Sequence, residues 1–378
     1  MLRATYSPHQ KAFTARVATL RKSFSKYKRA VASRAFAKLP WATHPALAQI
    51  SGKGHFTHLV LVGMGGSSLG MKALSAALGI EGITFLDNVD PDFVQVQIES
   101  LNVKKTLFLL VSKSGSTIEV LSLAEVLFAK IKSARNFLTI TDSTESPLAL
   151  FSKKKKIPCI TSPANVPGRF SILSIAGLLP AALAGINAEA VRTGAQDTSW
   201  EDAFTLAAHQ FLHFKNGHNI TVFFPYSEGL THVAEWYIQL LSESIGKSAH
   251  IGITPVKALG VKDQHSQLQL FLDGPRDKFF IFLKPDTTTY DFTIPHAPYT
   301  LGQLFDAEYQ GVIGAFKERN IPFCEIALPA LAPEFLGELF FFFELEIAFL
   351  GKLFSVNAEN QPAVELSKAI TKNLLKNY

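Results

Sequence analysis

Six separated stretches of the chain carry side chains suited to holding an anion and moving protons: Gly63-Met64-Gly65-Gly66-Ser67, Ser112-Lys113-Ser114-Gly115-Ser116-Thr117, Gly168-Arg169-Phe170-Ser171, Ser242-Glu243-Ser244-Ile245-Gly246-Lys247, Asp263-Gln264-His265, and Gln361 through Lys368. The first two combine glycines with hydroxyls. A phosphate dianion needs several donors that approach without a Cβ in the way, and helix N-termini supply free amides and a favourable dipole. The other stretches offer an arginine, a carboxylate, a histidine and a lysine. Moving a proton between neighbouring carbons of a carbonyl compound needs one base, a cation facing the enediolate, and an acid-base pair where a ring must open.

Each group also has a plainer use. Glu235, Gln239 and Glu243 recur every four residues, which stacks them on one helical face opposite Trp236, Ile238, Leu240 and Leu241; a solvated stripe would look the same. Arg169 stands at the threshold of the apolar run 172–183, where it could meet an anion or anchor a loop. His265 lies in an unusually polar segment, 260–272, and a lone histidine is more often structural. Lys368 follows Gln361 by seven residues on a helix begun by Pro362, so the two are expected to share a face. Gly63-x-Gly65 with Asp87 imitates a dinucleotide fingerprint, but Ser68 takes the place of its third glycine, and such a fold does not call for the second hydroxyl-rich loop. Asp87 therefore reads as a loop or helix-capping residue.

The elements that must position these groups alternate. Strand-like runs at 57–63, 83–86, 106–112 and 137–141 interleave with helical ones at 68–78, 91–101 and 118–131, which implies an α/β, doubly wound parallel sheet with helices on both faces. Both glycine-hydroxyl stretches then fall at the carboxyl edge, where open α/β sheets bind ligands. A helical bridge, 171–212, leads to a second alternating unit with a strand at 220–224, a helix at 228–245, a strand at 279–283 and a helix at 306–319. The tail, from 333, reads as two helices joined by 355–362.

Composition bounds the function. The chain has 378 residues, 47% of them hydrophobic, a formal net charge of +6 and two cysteines. The charge forms no basic stripe interleaved with aromatics, so it implies mild anion attraction rather than a nucleic-acid surface. Lys153 to Lys156 reads as a solvated loop. Cys159 and Cys324 are too few for a disulfide framework or a zinc site and read as core thiols of a reducing compartment. The N-terminus lacks a signal-type apolar core. The run 335–354 approaches membrane-span length, but Glu338, Glu344, Glu346 and Lys352 interrupt it, and it reads as a buried amphipathic helix.

In order and wording, the motifs resemble the glucose-6-phosphate isomerase family over 57–368. The most specific passages are Ala234-Glu235-Trp236-Tyr237 through Gly246-Lys247, Asp263 to Leu270, and Gln361 to Lys368. The resemblance implies two sugar isomerase (SIS) domains at 46–190 and 191–335, an N-terminal helical segment at 1–45, and a C-terminal helical arm at 336–378 completing the site. It makes Glu243 the base between C1 and C2, Arg169 the enediolate's cation, and His265 and Lys368 the ring-opening pair. Gln239 positions the sugar, and Gly66, Ser67, Ser112, Lys113, Ser114 and Thr117 hold the phosphate; Glu119, Gly168 and Gln361 match further site positions. No cofactor and no metal are implied. The expected assembly is a cytoplasmic homodimer with His265 supplied in trans. Two departures are Pro167, where glycine is expected, and Met64 for a branched aliphatic. A sugar-phosphate sensor would keep the phosphate loops but have no need of Glu243, His265 and Lys368 together.

Overall fold

The computed structural model describes residues 1–8, 11–48 and 56–377. Two five-stranded sheets organise it. The first contains β2 (His58–Val62), β3 (Ile83–Leu86), β4 (Thr106–Val111), β5 (Phe137–Thr141) and β6 (Cys159–Thr161) in the order β3-β2-β4-β5-β6, parallel throughout. The second contains β1 (Arg3–Tyr6), β7 (Ile220–Pro225), β8 (Thr254–Lys257), β9 (Lys278–Pro285) and β10 (Phe323–Leu328) in the order β1-β10-β9-β7-β8. Here β1 is antiparallel to β10 while the other pairs are parallel.

The two-residue period of the strands sorts their side chains. Leu59 and Leu61 of β2 join a core to which β9 contributes Phe279, Ile281 and Leu283, whereas Val60, Val62 and Phe108 pack in a separate cluster under outer helices. On the far side of the second sheet, Val222, Phe224, Phe280 and Phe282 form a third. Both sheets therefore share one apolar core, which is why their runs are apolar at nearly every position. Local chemistry fixes the helix starts: Asp90 accepts from Asp92 and Phe93 amides ahead of Pro91, and Thr300 closes a capping box with Gln303.

The strands and helices expected in the first unit are present, their ends shifted by at most about two residues. The strand-like run 157–160 overlaps β6, and three strands escaped the sequence pattern. β8 carries Pro255, which argues against a strand and is tolerated because β8 is an edge. β1 and β10 pair across the length of the chain. Asp87 lies in the loop just after β3, as expected, and does not cap: it pairs with Lys72 at 3.2 Å, and Asp90 does the capping. Lys153 to Lys155 form the last turn of the helix Pro147–Lys155 rather than a loop, where their charges oppose the negative helix end. Cys324 is buried as expected, but Cys159 is exposed because β6 is an edge strand.

The helix Pro333–Leu353 departs most from expectation. It is buried on every face, not amphipathic, with Glu344 and Glu346 fully enclosed and Glu338 nearly so. Glycines let it in: a Cβ on Gly337 would lie 1.8 Å from the Val191 carbonyl oxygen, and one on Gly194 would lie 2.0 Å from that of Glu334. Among the described residues Glu338 takes the Leu2 amide at 2.9 Å and Glu346 takes the Tyr237 hydroxyl at 3.4 Å, but neither Glu344 oxygen has a partner. No described helix is long and apolar enough to cross a membrane.

Burial pushes the Glu344 carboxyl well above the usual 4.5, so it stays protonated in the fold while the unfolded chain ionises above that value. Above pH 4.5 the unfolded state binds fewer protons, and stability falls by up to about 1.4 kcal/mol per pH unit until the folded group also ionises. Glu344→Met should therefore be more stable than the parent at pH 7.5 by at least about 1 kcal/mol, with the advantage shrinking toward pH 4.5. Urea titrations at the two pH values test this. An equal or smaller stability at both would mean that Glu344 has a compensating partner.

Candidate active site

Strand order puts the two glycine-hydroxyl stretches side by side. From β2 the chain steps to β3 on one side and then crosses back to β4 on the other, so the crevice at the carboxyl ends of β2 and β4 is a topological switch point. Gly63 to Ser67 follow β2, and Ser112 to Thr117 follow β4.

In the β4 loop, Gly115 has φ +58°, and a Cβ there would meet the Ser146 hydroxyl at 2.1 Å. Buried Ser112 donates to the Thr117 hydroxyl at 3.0 Å, and the exposed Ser114 and Ser116 hydroxyls meet at 2.9 Å. Half-buried Lys113 has its pKa pulled down by burial and by Arg169, against Asp142 and Glu359. Glu119 sits half-buried in the first turn of the helix Ile118–Ile131.

The β2 loop lies against the arginine turn with nothing between. A Cβ on Gly66 would come within 2.3 Å of the Gly168 carbonyl carbon, so only glycine permits the approach. Gly65 is left-handed, φ +53°, and a Cβ there would lie 2.7 Å from the Gln239 amide nitrogen. Pro167 poses no difficulty: it precedes the turn Gly168–Phe170 with φ −62° and ψ 148°, the angles that proline prefers.

At the centre is Arg169, 2% exposed. A guanidinium has five N–H groups, and this one has five acceptors. Nε donates to the Ser244 hydroxyl at 2.8 Å; Nη1 donates to Glu243 Oε2 at 3.0 Å and Gln361 Oε1 at 2.9 Å; Nη2 donates to the Ala358 and Asn360 carbonyls at 2.5 and 3.1 Å. Burial lowers its pKa and Glu243 raises it; an arginine stays charged regardless. Glu243 closes the helix Thr231–Ile245, and its other oxygen accepts from Gln239, one turn earlier, at 3.0 Å.

Thus Gly66, Ser67, Gly168, Arg169, Gln239, Glu243 and Gln361 gather at one place, with Lys113 near enough to feel the Arg169 charge. His265 and Lys368 do not join them within one chain. His265 is exposed on the turn Lys262–His265, which Asp263 braces by accepting from the Leu259 amide and the Ser266 hydroxyl, both at 2.8 Å. Lys368 is exposed and paired with Glu365 at 2.8 Å. The expected shared helical face with Gln361 is absent, because the helix begins at Val364 and Gln361 precedes it.

Sequence reasoning gave Lys247 and Ser244 no role, though both lie in a stretch it singled out. Lys247 Nζ donates to the Glu243 carbonyl at 2.6 Å and also to the Asn360 carbonyl. Burial, and then the Arg169 charge, lower its pKa from 10.5 to about 8. A lysine four residues after a helix-terminal glutamate was the available clue. Among the described residues no group of three or more histidine, cysteine, aspartate or glutamate side chains is placed to hold a metal.

A family model described as phosphoglucose isomerase matches residues 48–262. Glucose-6-phosphate isomerase from Thermus thermophilus is 38% identical, covering 84% of this chain and 83% of that protein. The enzyme of the same name from Carboxydothermus hydrogenoformans is 33% identical over 97% of this chain and 89% of its own. Among solved structures, a hypothetical protein from Thermus thermophilus superposes with a TM-score of 0.90 at 33% identity, covering 99% of this chain and all of that one. A Chlamydia trachomatis glucose-6-phosphate isomerase, at 21% identity and TM-score 0.84, shares the fold over 99% of this chain and 88% of its own. With more than half of the chain matched by the family model and over four-fifths by relatives above 30% identity, this protein belongs to the phosphoglucose isomerase family.

Proposed function

We propose that the protein interconverts glucose 6-phosphate and fructose 6-phosphate, with Glu243 carrying the proton between C1 and C2. The observation that bears this reading is the Glu243 carboxylate itself, held between a buried guanidinium and Gln239 beside two glycine turns. A base so fixed keeps its orientation while a substrate turns from aldose to ketose.

The phosphate sits on Ser67, Ser112, Lys113, Ser114 and Thr117, whose loops open at adjacent strand ends. Glu119 lies at the same rim. Ring opening falls to His265 and Lys368, and enediolate stabilisation to Arg169. Every N–H of Arg169 already has a protein acceptor, so a developing oxyanion takes over a donor that Glu243 or Gln361 now holds. That exchange favours the transition state over the ground state, because only the enediolate carries full charge there.

The assembly that suits this chemistry is a homodimer in the cytoplasm, each site receiving His265 from the other subunit. The exposure of His265 on a braced turn, unbonded to Glu243 or Arg169 of its own chain, supports that arrangement. Gln361, bonded to Arg169, anchors the start of the segment that carries Lys368.

Three measurements test the reading. Glu243→Gln should keep sugar-phosphate binding but lose turnover by at least about 10²-fold; near-parental solvent exchange at C2 in that variant would remove Glu243 from the role. Above about pH 8 Lys247 loses its charge beside the enediolate, so kcat should decline there, and Lys247→Arg, which stays protonated, should move that limb upward by about one pH unit or more. An unmoved limb would assign the ionisation elsewhere. Finally, mixed dimers of Glu243→Gln and His265→Ala chains should regain activity, since one of their two sites collects both intact residues. With subunit exchange verified, continued inactivity would place both groups on one chain.

A further inference from the structure

The grip on Arg169 comes largely from one short strap. It leaves the helix Pro333–Leu353 at Ser355, which takes φ +58°, and the Val356 amide caps the helix by donating to the Gly351 carbonyl at 2.9 Å. Asn357 Oδ1 then accepts from the Glu359 amide at 3.0 Å. Of the side chains from Ser355 to Asn360, only that of Ala358 is buried. The strap borders a crevice of about 380 Å³, lined also by Val31, Arg34 and Lys352, so polar contacts must add to the packing of Val356 and Ala358 to hold it. Arg169 and Lys247 hold its carbonyls.

A third tether comes from outside both sheets. Arg34 lies in the turn between the helix Phe24–Ala32 and the turn Phe36–Trp41, its own amide fixed to the Val31 carbonyl at 2.9 Å. Its guanidinium is paired with the Glu359 carboxylate, which is largely shielded from solvent. Two residues on, fully buried Phe36 meets the Phe170 ring at a centroid distance of 4.6 Å, next to Arg169 itself. The same N-terminal turn thus clasps the strap on one side and the arginine turn on the other. Glu359 is also close enough to Lys113 and Arg169 for its charge to act on both.

We propose that Arg34 is a positioning residue for the isomerase reaction: by holding Glu359 it fixes the strap that presents Gln361 and the two carbonyls to Arg169. It touches no substrate. The inference rests on Arg169 and Glu243 acting as proposed above, and its effect reaches them through Gln361. A displacement of about 1 Å in a positioning contact can cost up to about 10²-fold in rate, and here the strap keeps its other tethers.

The test compares Arg34→Met, Glu359→Gln and Arg34→Lys with the parent, each also in a Gln361→Ala background, by steady-state kinetics on glucose 6-phosphate and by thermal denaturation. Arg34→Met and Glu359→Gln should each lower kcat about tenfold with KM changed less than about threefold and the melting temperature nearly unchanged. Arg34→Lys, which keeps the ion pair, should stay near parental. In the Gln361→Ala background the loss from Arg34→Met should shrink to within about twofold, because the contact through which it acts is already gone. A folded Arg34→Met or Glu359→Gln enzyme with parental kcat overturns the proposal, and so does a full tenfold loss persisting without Gln361. Should Glu243→Gln retain activity, the site reading itself fails; an inactive Glu243→Gln beside a fully active Arg34→Met removes the strap's role alone.

Discussion

A charged guanidinium cannot be buried at 2% exposure unless all its donors are answered, and meeting that demand at Arg169 dictates much of the surrounding structure. Five acceptors must converge on one plane: two side chains from the end of the helix Thr231–Ile245, one side chain from Gln361, and two main-chain carbonyls. The helix lies between strands of the second sheet, the arginine turn follows β6 of the first, and the carbonyls come from the segment after the helix Pro333–Leu353. Satisfying one residue therefore ties together three parts of the chain that local sequence would leave independent. Removing any acceptor leaves a buried donor unpaired, which costs about 1–3 kcal/mol.

The same convergence sets the electrostatics. Glu243 sits at the negative end of its helix, an unfavourable place for a carboxylate, and Arg169 with Lys247 offsets that. Burial, and then the Arg169 charge, lower the Lys247 pKa to about 8, while the arginine stays charged.

Legibility in the sequence followed the range of the forces. The first sheet could be read because β4 is apolar at almost every position and Asp90-Pro91 marks a helix start without outside help. Gln239 and Glu243 could be read as neighbours because a helix turn joins them. The strap could not: its hold on Arg169 uses the carbonyls of Ala358 and Asn360, and every residue type has a carbonyl. β1 was missed because a four-residue strand becomes one only against β10, more than 300 residues away. Glu344 and Glu346 misled for a related reason. Charge usually marks a surface, and only tertiary packing reveals that these carboxyls lie inside.

The burial of the helix Pro333–Leu353 also constrains how the molecule is made. Synthesis runs from the N-terminus, so this helix leaves the ribosome after both sheets, yet its side chains complete the core on which both sheets pack. Until it arrives, the inner face of β7, whose Phe223 meets Phe343 at a centroid distance of 5.3 Å, has no full cover. Even β1, made well before the rest of its sheet, waits for β10. A nascent chain stalled before this helix would leave that apolar face open to its neighbours.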